Sequence, residues 1–148
     1  MIRIHRGTSA HLEDIAKLFD AYRVFYKQGS NYQAARTFIS QRIKNNDSII
    51  FVAYTGDEAL GFTQLYPVFS SVSMQGMCIL NDLFVVKEHR NQGIAKKLLD
   101  HSKQYAVEAK LKGLSLETAR DNPAQKLYER EGWVKDEDFL HYFWKNDE

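Results

Sequence analysis

Three residue groups in this chain could do chemistry. Arg90-Asn91-Gln92-Gly93-Ile94-Ala95-Lys96 is a basic, glycine-containing loop. It follows the apolar run 83–86 and opens a stretch with helical periodicity, which is where backbone N–H groups and a helix dipole can hold a pyrophosphate. Asp82 is a carboxylate inside the longest apolar segment, and Tyr128 is a phenol inside a short capped helix. Of the three, the loop points to a phosphate-bearing cofactor, while Tyr128 taken alone reads as packed on the core and Asp82 reads equally as a buried carboxylate satisfied by backbone N–H groups.

The elements that must position these groups follow from the periodicity. Ile2 and Ile4 alternate with Arg3 and His5, which predicts a first strand. Thr8 or Ser9 can cap a helix with Leu12, Ile15, Ala16, Phe19 and Tyr22 at helical spacing, and a second helix carries Ala34, Ala35, Phe38, Ile39 and Ile43. Residues 48–54 and 59–69 read as a hairpin around Thr55-Gly56-Asp57-Glu58, with a bulge or bend expected at Gly61 and Pro67. Residues 70–76 read as a loop and 77–86 as a central strand. A helix over 92–109 and a short strand over 114–118 follow. Asn122-Pro123-Ala124-Gln125 then writes a helix start, with Asn as cap, Pro in the first turn and Gln reaching back. Residues 133–134 and 139–144 read as final strands, separated by Asp136-Glu137-Asp138.

The bulk numbers exclude several classes. At 148 residues the chain suits one domain, and a net charge of +1 does not suit a nucleic-acid binder. The lone Cys78 forms no internal disulfide and reads as a core thiol, which fits a cytoplasmic protein. No apolar stretch is long enough to span a membrane, and the five histidines show no metal-ligand spacing, so no metal is expected.

In this order the loop Arg90-x-x-Gly93-x-Ala95 and the segment Asn122…Leu127-Tyr128…Gly132-Trp133 resemble the GCN5-related N-acetyltransferase (GNAT) superfamily over nearly the whole chain. Residues 80–85 and the aromatic tail 139–144 loosely resemble its diamine (polyamine) acetyltransferase branch. The resemblance implies an α/β (α+β) fold, a single domain over 1–148 with a mixed, mostly antiparallel sheet flanked by helices. It implies acetyl-CoA as co-substrate, lying against the backbone of Leu83, Phe84 and Val85, with the Val85 N–H polarising the thioester carbonyl. Arg90, Asn91, Gln92, Gly93, Ile94, Ala95 and Lys96 would wrap the pyrophosphate, Asn122 would contact the pantetheine arm, and Tyr128 would protonate the leaving thiolate.

Three positions depart from the pattern. Asn81 stands where the diamine branch has a glutamate, which leaves Asp82, Glu117 or a water relay as base. Asn122 lies one residue nearer Tyr128 than is usual, with Asp121 in the customary slot, and Ala95 replaces a second glycine. The expected acceptor is a primary amine on a small molecule, a polyamine or an amino-acid-like amine. A protein lysine or a non-catalytic CoA-binding sensor module are the alternatives. A homodimer using the aromatic tail is a further expectation.

Overall fold

The computed structural model describes residues 1–148, which divide into two compact units, Met1–Glu117 and Thr118–Glu148. The first holds β1 (Ile2–Arg6), α1 (Leu12–Phe25), α2 (Tyr32–Asn45), β2 (Ile49–Thr55), β3 (Glu58–Ser70), β4 (Gln75–Val85), α3 (Ile94–Glu108) and β5 (Leu114–Ser115). The strands form one sheet in sequence order, antiparallel from β1 to β4 and parallel between β4 and β5.

Several boundaries in this unit have a local cause. Thr8 accepts from the Ala10 N–H and pairs with His11 in a capping box, which starts one short 3₁₀ turn before α1. Asn31 caps α2 by accepting from Ala34 N–H, and Asn46 ends it in the left-handed conformation. The stretch 70–76 is a tighter connection than a loop: β3 runs to Ser70, β4 resumes at Gln75, and a turn joins them.

Helices cover both faces of the sheet. Ile50, Val52 and Tyr54 of β2 join Ile15, Leu18, Phe19, Ile39, Phe62 and Phe84 in one cluster with α1 and α2. Phe51, on the alternate face, meets His101 and Tyr105 of α3. Being covered on both sides explains why β2 is apolar along its length instead of alternating.

The sheet carries two bulges. Ala59 faces Tyr54 and Gly61 faces Ala53, so Leu60 is the extra residue in β3, next to the glycine that marked it in the sequence. Pro67 pairs with Cys78 in unbroken register, so no bulge forms there. In β4, Leu80 faces Leu65 and Asp82 faces Gln64, which leaves Asn81 as the extra residue.

The second unit holds α4 (Ala124–Arg130) and then chain without strand or helix. Gly132, at φ +88°, ends α4 in a conformation that other residues resist. The expected strands at 133–134 and 139–144 do not form, and β5 is confined to Leu114–Ser115. β-propensity is realised only when a sheet edge pairs with the segment, and residues 139–144 pair with none.

A Cβ at Gly61 would lie 2.7 Å from the Phe84 carbonyl oxygen and 3.3 Å from the Val85 Cα, so β3 and β4 approach closely only because a glycine is there. Gly61→Val is therefore expected to lower unfolding free energy by about 1–3 kcal/mol in urea denaturation. An unchanged midpoint would contradict the close approach.

Candidate active site

The bulge at Asn81 sets the geometry of the candidate cleft. Before it, the Cys78 N–H points toward β5 and reaches the Gly113 carbonyl at 3.2 Å. After it, the Asp82 carbonyl accepts from Thr63 Oγ1 at 2.7 Å and the Val86 N–H reaches the Leu60 carbonyl at 2.9 Å, so even-numbered residues now face β3. Backbone groups alternate along a strand. The N–H groups of Leu83 and Val85 are thereby turned to the opposite edge of β4.

That edge is open. β5 pairs with β4 only at Cys78 and Ile79, so no strand lies beside residues 81–85. An extended ligand can occupy such an edge through main-chain hydrogen bonds, as an added strand does. Arg90 Nε donates to the Val85 carbonyl at 2.9 Å, and its guanidinium stacks over Phe25 and Phe84 at 5.2 and 5.6 Å. The Arg90 side chain thus fixes the end of β4, while the Arg90 backbone enters the loop.

Two left-handed residues shape that loop: Asn91 at φ +62° and Gly93 at φ +78°. α3 begins at Ile94 and not at Gln92, because Gly93 in the left-handed region breaks the helical run. No side chain caps this helix and no acidic residue stands in its first turn. The Lys97 N–H is the first to close on Gly93 O, at 3.1 Å. The N–H groups of Ile94 and Ala95 precede the helical ladder at the positive end of the dipole, an arrangement suited to a phosphate. Asn91, Gln92, Gly93 and Lys96 are exposed there.

Asp82 is 1% exposed. Gln64 Nε2 donates to its Oδ2 at 2.6 Å and Asn81 Nδ2 to its Oδ1 at 2.8 Å. Burial raises its pKa above the ordinary carboxylate value, and hydrogen bonds from Asn81, Gln64 and Tyr22 offset this only in part. Tyr22 also donates to the Asn81 carbonyl at 3.2 Å, and its own pKa is pushed upward by burial and by the neighbouring Asp82 charge. Tyr66 is raised for the same two reasons. Both phenols therefore stay protonated as donors. The Tyr22 ring meets Tyr26 at 5.0 Å and Phe84 at 6.3 Å, which makes an aromatic wall beside the carboxylate.

Gln64 was not legible as part of this group. Its signal is a fully buried amide in an otherwise apolar strand, with Oε1 unpaired.

In the second unit, Asn122 Oδ1 accepts from the Ala124 N–H at 2.9 Å, so this side chain caps α4. Gln125 reaches back to the carbonyls of Ala119 and Arg120, and not to the Asn122 N–H that a capping box requires. Tyr128 lies on α4 with its ring 6.0 Å from that of Trp133, and its carbonyl accepts from the Trp133 N–H at 2.9 Å. No group of three or more His, Cys, Asp or Glu is placed to hold a metal.

The pattern of the Acetyltransferase (GNAT) family matches residues 12–133. The chain belongs to this family. It is an acetyl-CoA-dependent N-acetyltransferase. It is 44% identical over 142 residues to the "Uncharacterized N-acetyltransferase YhfO" of Bacillus subtilis (strain 168), covering 95% of each chain. It superposes with a TM-score of 0.92 on the crystal structure of a "probable acetyltransferase", at 40% identity and over 99% of each chain. The fold also matches that of aminoglycoside N-acetyltransferase AAC(6')-Iy, solved in complex with CoA, with a TM-score of 0.81 at 19% identity over 99% of this chain and 96% of that one. The GNAT fold expected from the sequence is the fold observed, a five-stranded and mostly antiparallel sheet flanked by helices.

The raised pKa of Asp82 has a consequence for stability. A carboxyl whose folded pKa exceeds its unfolded value lends stability that is whole below the unfolded pKa and lost as pH rises through the folded pKa. Asp82→Asn removes that dependence, and a rotated Gln64 amide can offer its unpaired Oε1 to the new side-chain NH₂. Urea denaturation is expected to show the variant gaining on the parent as pH rises from the acid side to neutrality. A pH-independent difference would place the Asp82 carboxyl at an ordinary pKa.

Proposed function

We propose that this enzyme acetylates a primary amine of a small cationic or amino-acid-like molecule, with residues 1–148 working as one catalytic domain. The reading is carried by the open edge of β4, where the N–H groups of Leu83 and Val85 face away from β3 beside the uncapped start of α3. The pantetheine arm of acetyl-CoA lies along Leu83, Phe84 and Val85. Its pyrophosphate is held by the backbone from Arg90 to Lys96. Asn122, whose Oδ1 is committed to Ala124, has its NH₂ group for the arm.

The amine nitrogen attacks the thioester carbonyl carbon, and the oxygen takes the negative charge and accepts from the Val85 N–H. A donor in this role typically contributes about 2.7–4 kcal/mol. The tetrahedral intermediate collapses and expels the CoA thiolate, which takes the Tyr128 hydroxyl proton, while the second proton left on the attacking nitrogen returns through water to the Tyr128 oxygen and leaves the neutral amide. The reference pKa values, near 10 for a phenol and about 8.5 for a thiol, allow that transfer through a directed hydrogen bond.

An alkylamine of reference pKa about 10.4 must first lose a proton, which costs roughly 4–5 kcal/mol at pH 7. Asp82 is the base that this structure supports. It is too deeply buried to touch an acceptor nitrogen, so Tyr22 or a water molecule relays the proton to it. Asn81 replaces the missing glutamate as a donor that steadies the Asp82 carboxylate. The carboxylate and the faces of Tyr22 and Tyr26 together favour a cationic amine. A homodimer in the cytoplasm fits this reading.

Free-thiol release from acetyl-CoA across a panel of polyamines, amino acids and aminoglycosides tests the assignment. Turnover with small amines is expected; CoA binding without turnover on any amine would instead favour a non-catalytic sensor. Tyr128→Phe is expected to lower kcat by about 100-fold or more with CoA affinity unchanged, and equal turnover would remove Tyr128 from its role. Asp82→Asn is expected to flatten the acidic limb of the rate profile, because the base works only above its folded pKa. Gly93→Val forces a β-branched residue into the left-handed region at a cost of about 1–2 kcal/mol. It is expected to weaken CoA binding measured by calorimetry.

A further inference from the structure

Arg42, in the last turn of α2, keeps both terminal nitrogens uncommitted. Its guanidinium lies over the Phe38 ring at 4.8 Å. Asp47 Oδ1 stands 3.1 Å from its Nε, out of line for a hydrogen bond, and no group of the chain accepts from its two NH₂ groups. The side chain is only 24% exposed, so the charge is partly desolvated. A planar guanidinium held in this way matches a carboxylate through two parallel N–H···O bonds.

The fold brings that cation to the wall of the candidate cleft. Phe62, Gln64 and Tyr66 share one face of β3. Phe62 packs in the cluster with α1 and α2, so this face lies beneath them, and Gln64 holds Asp82 on it. Asp47 precedes β2, whose Ile49 faces Leu65, so Arg42 and Asp47 stand at the Tyr66 end of β3. Phe38, Phe19 and Tyr22 form a continuous aromatic run, with centroids 5.4 and 6.3 Å apart, from the Arg42 guanidinium to the Tyr22 hydroxyl on Asn81. Tyr66 lies within reach of both charges: burial and then Asp82 push its pKa up, and Arg42 opposes them.

We propose that Arg42 forms a carboxylate-binding subsite, and that the acceptor is an amino acid with its amine and carboxylate at opposite ends of an extended chain. The inference rests on the acetyl transfer to a small primary amine assigned above. The amine lies against Tyr22 at the level of Gln64 and Asp82, and the carboxylate lies at the level of Tyr66. Two successive same-face residues of a strand are about 7 Å apart, which an ω-amino acid of roughly five or six carbons spans and an α-amino acid does not. A diamine of that length would set a second ammonium against Arg42, and like charges so placed exclude a ligand. The subsite thus selects the acid over the polyamine.

Free-thiol release with 6-aminohexanoate, its amide and 1,6-diaminohexane tests the subsite. The parent is expected to favour the acid over either of the others by more than about 10-fold in kcat/KM. Arg42→Gln is expected to bring the acid-to-amide ratio to about one, chiefly through KM for the acid. Arg42→Lys keeps a charge but loses the fork, and is expected to retain part of the preference. A purely structural role for the Arg42–Asp47 pair would move acid and amide alike. No preference in the parent, or a preference that survives Arg42→Gln, would overturn the subsite; where that variant fails to fold, the parent ratio and Arg42→Lys still decide. Calorimetry of 6-aminohexanoate on parent and variants reads the subsite without turnover. Binding that weakens with loss of Arg42 while no amine is acetylated would overturn the reaction and leave the subsite standing. Equal binding in parent and variants, or none in the parent, would overturn the subsite itself.

Discussion

One unpaired residue governs the candidate site. Asn81 is the bulge in β4, and inserting it exchanges the edges toward which the following backbone groups point. Without it, Leu83 and Val85 would spend their N–H groups on β3, and the edge toward β5 would offer those of Phe84 and Val86. With it, the Val85 N–H is available where a carbonyl oxygen can approach, and the Val85 carbonyl is held by Arg90 on the same edge. The bulge also places the Asp82 side chain beside Gln64 and Tyr22. A single insertion therefore sets both the outward-facing Val85 amide and a buried carboxylate. Bulges are found beside active sites because they re-aim groups at little cost to the rest of the ladder.

The parting of β4 and β5 is the second half of the same device. Two residue pairs hold them together, at Cys78 and Ile79, and the strands separate from there on. An open edge in the middle of a sheet is normally a liability, since it templates pairing with any extended chain. Here the uncapped start of α3 follows within one short turn of that edge, an arrangement that favours a ligand both extended and anionic over a peptide. Gly61 lets β3 come close enough behind β4 to back this edge.

Much of this was legible in the sequence, and the parts that were not share a physical reason. The helices α1, α2 and α3 follow from 3.6-residue periodicity and from caps at Thr8 and Asn31, which are local properties. Gly61 announced the bulge in β3 because a missing side chain is visible in the sequence. Asn81 did not announce the bulge in β4, because register is a relation between two strands and neither strand encodes it alone. Gln64 was hidden for the same reason: its role exists only opposite Asp82. The tail failed in the other direction. Residues 139–144 have the composition of a strand, yet a strand is a pairing and not a composition.

Asn81 cannot accept a proton, and the carboxylate beside it is buried. A glutamate at that exposed position could meet an amine directly, whereas Asp82 is sealed beneath Gln64, Asn81 and Tyr22. Burial raises its pKa above the ordinary carboxylate value, which makes it a stronger base than an exposed carboxylate. Depth and basicity come from the same desolvation, so a stronger base here is necessarily one that needs a relay. Tyr22 is placed for the proposed relay: its hydroxyl touches the Asn81 carbonyl, it interacts with Asp82, and its ring forms the aromatic wall. A phenol whose own pKa is raised does not ionise in this role. In the relay we propose, it would pass a proton inward only as it receives another from outside, which would tie deprotonation of an amine to its arrival against that wall.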